Sequence, residues 1–212
     1  MGIISNGIFG GFSGTVGNIV GGSWKGINYI RSKPVKRAIA ATPAQLEQRE
    51  KFKIVIRFVN CMSGLLEVSF KNYAIKMTGV NSAFAYTFKN AVTGYYPAYS
   101  IDYTKVLLSR GDLPNALSPS AIATANSAVA FAWTDNSGIG ITRTKDKAIL
   151  VVYCPEMNCC IYNTEGAFRS AVSDTINVST FSGKLVVTYL GFISEDGKEV
   201  ANSLYTGQFI VS

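Results

Sequence analysis

The amino-acid sequence predicts an α+β protein made of three consecutive parts, and three observations support this class. The first is a glycine-rich, apolar N-terminal segment. The second is a helical pattern with an N-terminal capping residue, and the third is a C-terminal half in which apolar and polar residues alternate. We expect a basic, Gly-rich β-ribbon arm over residues 1–41, a helical and strand region over 42–116 and a β-sandwich domain over 117–212. With 212 residues and 48% hydrophobic content, the chain can bury a substantial core.

The arm combines many glycines with large apolar side chains. Nine of the 20 glycines lie in the first 26 residues. Glycine brings no side chain to a core and loses the most backbone freedom on ordering, so this segment cannot fold alone. Its Val, Ile and Trp residues also distinguish it from a solvated linker. The arm therefore needs a surface to pack against.

Two strands are expected in the arm, from Thr15 to Val20 and from Ser23 to Ser32, with a tight turn at Gly21-Gly22. A two-stranded ribbon is marginal in water, so it must pack on the same chain or on another subunit, and we favour another subunit. The apolar residues expected at such an inter-subunit contact are Phe9, Phe12, Val16, Ile19, Val20, Trp24, Ile27 and Tyr29.

Positive charge is concentrated in the first 57 residues, which carry a net charge of +7, whereas the rest of the chain is neutral overall. This imbalance indicates a local anionic partner, which is an acidic neighbouring subunit, nucleic acid or anionic lipid. The alternative is a solvated linker around Pro34. The residues expected to contact an anionic partner are Lys25, Arg31, Lys33, Lys36 and Arg37.

A helix start follows at Thr42-Pro43-Ala44-Gln45, with Thr at the cap, Pro at the first helical position and Gln three residues after the cap. An apolar stripe of period 3.6 extends this long helix to about Ser69. The stretch from Lys71 to Gly79 is predicted as a strand or an irregular return. A short helix from Ala83 to about Thr93 is then expected, capped by Asn81-Ser82 and ended by Gly94.

The aromatic cluster from Tyr95 to Tyr99 has two interpretations. It covers the edge of a core, or it forms a platform for a sugar or a base. The second interpretation gives the main alternative function, a surface or glycan-binding module that uses the β-sandwich and this cluster.

The C-terminal half has the period of two that is typical of strands, with Gly, Asn and Asp at the turns. About seven short strands in the last 95 residues predict an immunoglobulin-like or fibronectin-III-like antiparallel sandwich, with Trp133 as a core anchor. A further strand is expected around Tyr103, Val106 and Leu108. The other expected strands are Ala128 to Trp133, Lys147 to Tyr153, Cys159 to Tyr162, Thr175 to Ser179, Lys184 to Ile193 and Val200 to Val211.

Catalytic motifs are missing from the sequence. It contains no His, and its glycines do not form a phosphate-binding or dinucleotide-binding loop. We therefore expect no enzyme, no catalytic residue, no cofactor and no metal site. Cys154 and Cys159 flank an expected hairpin, where a disulfide is conceivable, although buried reduced thiols are the simpler expectation.

Neither a secretory signal peptide nor an apolar span of about 20 residues is visible. We expect synthesis in the cytoplasm without a signal peptide, no transmembrane segment, and a final location in a particle or filament, cellular or viral.

Several motifs together carry a resemblance to a known family. They are Gly10-Gly11-Phe12-Ser13-Gly14, Val16-Gly17-Asn18, Trp24-Lys25-Gly26, Arg31, Pro34, Thr42-x-Ala44-Gln45-x-x-Gln48-Arg49-x-x-Phe52, Ala91-Val92-Thr93-Gly94, Tyr96-Pro97, Trp133-x-Asp135-Asn136-Ser137-Gly138 and Asp146-Lys147. Over nearly its whole length the chain resembles a family of uncharacterised proteins of Bacteroidota, about 200 residues long, filed as a domain of unknown function. This resemblance implies no activity and no site residue. Residues 10 to 52 are more loosely similar to the N-termini of some phage virion structural proteins.

These observations predict a structural, self-assembling protein: a subunit of a filament, tube, capsid or phage-tail-like particle. Its main partner is expected to be itself, through contacts of the N-terminal arm. Nucleic acid or an acidic protein surface is the further candidate partner of the basic segment, and nucleic-acid binding is the third functional hypothesis.

Overall fold

The computed structural model describes residues 2–4, 10–35 and 40–211 and divides into two compact units, Met1–Thr42 and Pro43–Ser212. The first unit is a sheet of four antiparallel strands in the order β1-β2-β3-β4. Its strands are β1 (Gly2–Ile4), β2 (Phe12–Val16), β3 (Ile19–Trp24) and β4 (Ile27–Ser32).

The predicted strand bounds in this unit were wrong, because Gly21 and Gly22 lie inside β3 and not in a turn. The chain turns instead at Gly17-Asn18 and at Lys25-Gly26, where Gly17, Lys25 and Gly26 have positive φ angles of 56°, 46° and 80°. The two mid-strand glycines serve packing: a Cβ on Gly21 would lie 2.7 Å from the Phe12 ring, and one on Gly22 would lie 2.8 Å from the Tyr29 hydroxyl.

Three α-helices occur in the described part of the second unit: α1 (Pro43–Asn60), α2 (Ser63–Ser69) and α3 (Gly79–Asn90). The predicted start of α1 at Pro43 is confirmed. The predicted continuity to Ser69 was wrong, because the helix breaks at Cys61-Met62, where Met62 has φ −126° and is fully buried. The return after α2 is irregular, with a 3₁₀ turn at Lys71–Tyr73.

The predicted bounds of α3 were also wrong. Thr78 caps this helix, because its Oγ1 accepts a hydrogen bond of 3.1 Å from the backbone N–H of Asn81. Gly94 does not end the helix. It lies in the hairpin formed by β5 (Val92–Tyr95) and β6 (Ala98–Ile101), with φ 94°.

Seven strands follow in the C-terminal half, all of them antiparallel to their neighbours. They are β7 (Leu117–Thr124), β8 (Ala128–Thr134), β9 (Lys147–Cys154), β10 (Cys159–Asn163), β11 (Ser173–Asn177), β12 (Leu185–Ile193) and β13 (Leu204–Ile210). One sheet has the order β10-β9-β12-β13 and the other has the order β11-β8-β7. The expected α+β class is confirmed.

The strand expected around Tyr103, Val106 and Leu108 was wrong. A 3₁₀ turn spans Tyr103–Lys105, and side chains satisfy the backbone of the segment that follows. The Leu108 N–H donates to Ser203 Oγ at 2.8 Å, and the Leu108 carbonyl accepts from Ser69 Oγ at 2.6 Å. Buried hydroxyl groups thus take the place of a neighbouring strand.

Two cores meet at the sheet that contains β9 and β12. Ile149, Val151 and Tyr153 point from β9 into a core shared with the helices, whereas Ala148, Leu150, Val152 and Cys154 point into a core shared with β8 and β11. This two-sided burial explains why the sequence of β9 is a nearly continuous apolar run. The predicted core residue Trp133 is buried in the second core.

Candidate functional surfaces

The N-terminal sheet has two faces that the strand register defines. Ile30 lies opposite Gly21, and Gly21 lies opposite Gly14, so the Phe12, Val16, Ile19 and Ile30 side chains share one face. The other face is formed by Val20, Trp24, Ile27, Tyr29 and Arg31. On this face Val20 lies opposite Arg31 and Trp24 lies opposite Ile27, and Tyr29 is two residues from each of its β4 neighbours. Both faces therefore carry apolar side chains.

These side chains have very little internal burial. Among the described residues of the first unit, only Gly21 is buried. Trp24 is 53% exposed, Tyr29 is 46% exposed and Ile30 is 66% exposed. Of the predicted contact residues, Phe12 and Val20 are half-buried, whereas Val16, Ile19 and Ile27 are exposed and Phe9 lies outside the described residues.

The predicted basic residues fall on β4 and its flanks. Lys25, Arg31 and Lys33 are exposed, and the backbone N–H of Lys33 donates to the Asn18 carbonyl at 2.7 Å. Lys36 and Arg37 lie outside the described residues. The sheet thus presents positive charge beside exposed apolar side chains.

The tyrosine cluster forms a second surface, on the body of the protein. A cleft of about 420 Å³ lies between α1, α3 and the β5–β6 hairpin. Tyr95 borders it with a side chain that is 89% exposed, and the Tyr96–Pro97 peptide bond in the hairpin is cis. The lining residues are Glu47, Gln48, Lys51, Phe88, Lys89, Val92, Gly94, Tyr95 and Tyr99.

A charged network occupies one wall of this cleft. The Lys51 ammonium and the Tyr99 hydroxyl both donate to Glu47 Oε1, at 2.7 Å and 2.6 Å. The hydrogen bond from Lys51, with that from Tyr99, lowers the pKa of Glu47. Burial, together with the hydrogen bond to Glu47, raises the pKa of Tyr99. The wall therefore keeps a fixed carboxylate and ammonium pair beside aromatic rings.

All four cysteines are free thiols, and Cys154 is buried while Cys61 and Cys160 are half-buried. The expectation of a buried thiol was wrong for Cys159, which is exposed. Cys154 and Cys159 are cross-strand partners in the β9–β10 hairpin, as expected, without a bond between them. Burial raises the pKa of Cys61 to about 12 and also raises the pKa of Cys160, so these thiols stay protonated at neutral pH. No group of three metal-ligating side chains occurs within residues 2–4, 10–35 and 40–211.

A buried network surrounds Arg169, a residue that no sequence pattern had marked. The Arg169 guanidinium donates to Asp146 Oδ2 at 3.1 Å, to Asn136 Oδ1 at 2.7 Å and to the Pro114 carbonyl at 3.0 Å. Trp133 Nε1 donates to the Arg169 carbonyl at 2.8 Å. Burial lowers the pKa of Arg169, while the Asp146 carboxylate opposes this effect. The motif residues Trp133, Asn136 and Asp146 thus meet around one arginine and join loops to the second core.

Comparisons with known proteins identify a family but no function. None of the helices in the described residues is both long and apolar enough to span a membrane. The search of curated proteins found no match. Residues 11–207, which include the N-terminal sheet from Gly11 onward and nearly all of the body, match a family of unknown function. The chain therefore belongs to the family of unknown function DUF6266.

Proposed function

We propose that this protein is a structural, self-assembling subunit of a filament, tube, capsid or phage-tail-like particle, and that the N-terminal sheet makes the contacts between copies. The observation that supports this proposal is a four-stranded sheet whose only buried described residue is Gly21. Full burial of one large apolar side chain contributes about 1.5–3 kcal/mol. A neighbouring copy that covers one face of this sheet would supply the core that the sheet lacks.

The open edge of the sheet supports the same proposal. Among the described strands, β4 pairs with β3 and with no other strand, and all six of its residues are exposed. An open edge offers backbone N–H and carbonyl groups to an added strand. Arg31 and Lys33 beside this edge favour an acidic surface on the neighbouring copy.

The proposal is tested by placing a charge on the sheet. We expect the full-length protein to form assemblies, visible by light scattering after size exclusion and by electron microscopy. Ile30→Lys should shift the population towards the monomer, because a charge in a dry contact is costly. Ile75→Lys is the matched control, since Ile75 is 76% exposed on the body.

A chain that begins at Pro43 retains both cores and should remain monomeric. If the full-length protein is monomeric at every concentration, the assembly proposal is wrong. Equal loss of assembly in Ile30→Lys and Ile75→Lys would also contradict it, because the effect would then not depend on the N-terminal sheet.

A glycan-binding module is the second candidate, and the exposure of Tyr95 beside a cleft lined by charged and aromatic side chains favours it. Sugar rings stack on aromatic side chains, and the Glu47 and Lys51 pair offers an acceptor and a donor for hydroxyl groups. In a glycan screen, Tyr95→Ala should abolish binding, whereas Tyr162→Ala, on β10, should preserve it. A glycan that binds both variants equally does not use the cleft.

Nucleic-acid binding through the basic arm is the third candidate, and the exposed Arg31 and Lys33 side chains favour it. Phosphate contacts release counterions, so the affinity should fall steeply as salt increases. Binding that is absent, or that does not depend on salt, contradicts this function.

The remaining parts of the proposal concern fold family, chemistry and origin. The core that β8 and β11 share with β9 and β12 supports an immunoglobulin-like or fibronectin-III-like sandwich for residues 117–212. The proposal also includes a non-enzymatic role, synthesis in the cytoplasm, an origin in Bacteroidota and a likeness of the arm to phage virion proteins.

A further inference from the structure

A groove of about 370 Å³ lies beside α3, and two cationic side chains border it. This volume falls within the range of small-molecule sites, which is about 300–1,000 Å³. No Asp or Glu is present among its described lining residues, which are Tyr73, Met77, Ser82, Ala85, Tyr86, Lys89, Asn90 and Arg110. The groove therefore combines positive charge with aromatic and apolar walls.

Backbone contacts hold Arg110 in place at this groove. Its N–H donates to the Ser69 carbonyl at 3.0 Å. The next residue, Gly111, is buried so closely that an added Cβ would lie 2.0 Å from the Val200 carbonyl oxygen. The backbone of Arg110 and Gly111 is thus fixed against neighbouring segments, which sets the direction in which the Arg110 side chain leaves the backbone.

Two tyrosine rings position the Arg110 side chain. Its guanidinium carbon lies 4.2 Å from the centroid of the Tyr73 ring and 5.6 Å from that of Tyr86. The Tyr73 hydroxyl donates to Asp112 Oδ1 at 3.0 Å, which orients the ring, and this bond raises the pKa of Tyr73. The cation is therefore held in one orientation without an ion pair.

The guanidinium donors of Arg110 remain available. Within the described parts of the chain, its guanidinium lies over these two rings and makes no hydrogen bond or salt bridge. In contrast, the Arg169 guanidinium donates to three oxygens. Ring contacts use the faces of a guanidinium, whereas its N–H groups lie in the plane, where they can pair with a carboxylate or a phosphate.

We propose that this groove binds a small ligand that carries a carboxylate or phosphate group on a compact ring, the chemistry of an acidic sugar. Arg110 takes the oxyanion, Lys89 adds a second positive charge, and the ring body lies among Tyr73, Tyr86 and Met77. This site does not depend on the proposed assembly role, because all of its residues belong to the body of the protein.

Calorimetric titration of the full-length protein with three related sugars tests the site. Glucose is neutral, glucuronate carries a carboxylate and glucose 6-phosphate carries a phosphate, so the anion is the main difference among them. We expect at least one acidic sugar to bind at least about tenfold more tightly than glucose, since charge-assisted hydrogen bonds add to the interaction. The acidic sugar that binds with the higher affinity identifies the preferred oxyanion.

Variants locate the binding. Arg110→Gln should lower the affinity for the acidic sugar roughly tenfold or more, and Lys89→Gln should lower this affinity less. Arg49→Gln removes the same charge from an exposed position on α1 and should leave the affinity unchanged. Melting temperatures of all variants verify that the fold is intact.

Three results would overturn the site. They are equal affinities for glucose and both acidic sugars, an Arg49→Gln effect as large as that of Arg110→Gln, and binding that is lost in Tyr95→Ala but kept in Arg110→Gln. The last result would place the sugar in the tyrosine cleft instead.

Discussion

The N-terminal sheet and the sheet that contains β9 and β12 use the same backbone pairing but differ in burial. Both are four-stranded and antiparallel. In the body, β9 is buried on both faces, whereas every residue of β4 is exposed. Backbone pairing by itself brings little net stability, because backbone groups exchange hydrogen bonds with water for hydrogen bonds with each other. Side-chain burial decides which sheet is stable alone.

The largest expected effect comes from breaking the ion pair inside the body. Arg169→Met leaves the Asp146 carboxylate buried without its cationic partner, which should lower the free energy of unfolding by about 3–5 kcal/mol. Denaturant unfolding, followed by fluorescence, measures the change. Arg49→Met is the exposed control and should stay within about 0.5 kcal/mol of the unmodified protein.

A double variant sharpens this test. Replacing Asp146 by Leu together with Arg169→Met removes both charges, and part of the lost stability should return. A double variant that is no more stable than Arg169→Met would show that the loss comes from packing and not from an unpaired charge.

The next effect compares one apolar side chain from each sheet. Leu150→Ala removes buried methyl groups from β9 and should lower the free energy of unfolding by about 2–5 kcal/mol. Ile30→Ala in β4 should change it by less than about 0.5 kcal/mol when both proteins are measured as monomers. Equal losses would mean that the N-terminal sheet has a core of its own.

Gly21→Val should disrupt the N-terminal sheet and leave the body intact. A Cβ at this position would lie 2.3 Å from the Phe12 carbonyl oxygen, so β2 and β3 could not keep their register. We expect faster hydrogen exchange over residues 12–32 and an unchanged unfolding midpoint of the body. Gly22→Ala should be milder, because it meets only the movable end of Tyr29.

The smallest effect is electrostatic and concerns Glu47. The pKa of Glu47 is lower in the folded protein than its ordinary value of 4.5, so its stabilising contribution is present above pH 4.5 and is lost as the pH falls through the folded pKa. Glu47→Gln should flatten the stability profile below pH 4.5. Unfolding midpoints measured across this range check the sign, and a steeper profile in the variant would contradict it.

Short sequence patterns were sufficient to predict the helix and the strands whose bounds depend on neighbouring residues in the chain. The Thr-Pro-Ala-Gln start identified Pro43, and apolar segments bounded by turn residues identified β8, β9, β10 and β12 close to their observed bounds. The prediction of a turn at Gly21-Gly22 was wrong because a pair of glycines is compatible with a turn and also with a strand against which aromatic rings pack. Local sequence does not distinguish these uses, since the ring of Phe12 comes from another strand.

The candidate sites were less predictable because they combine distant segments. The Tyr95 to Tyr99 cluster was visible in the sequence, but its partners Glu47 and Lys51 come from α1. Arg169 was missed altogether, since its contacts with Pro114, Asn136 and Asp146 span 55, 33 and 23 residues. No periodic pattern marks such a residue before the fold is known.

The two-sided burial of β9 and β12 has a consequence for how the body melts. Each strand is a common wall of both cores, so loss of either core exposes the opposite face of the same strands to water. Neither core can therefore melt while the other persists, and the body should lose its structure in one all-or-none transition. The fluorescence of the Trp133 indole would then report the melting of the helices as well, although Trp133 does not contact them.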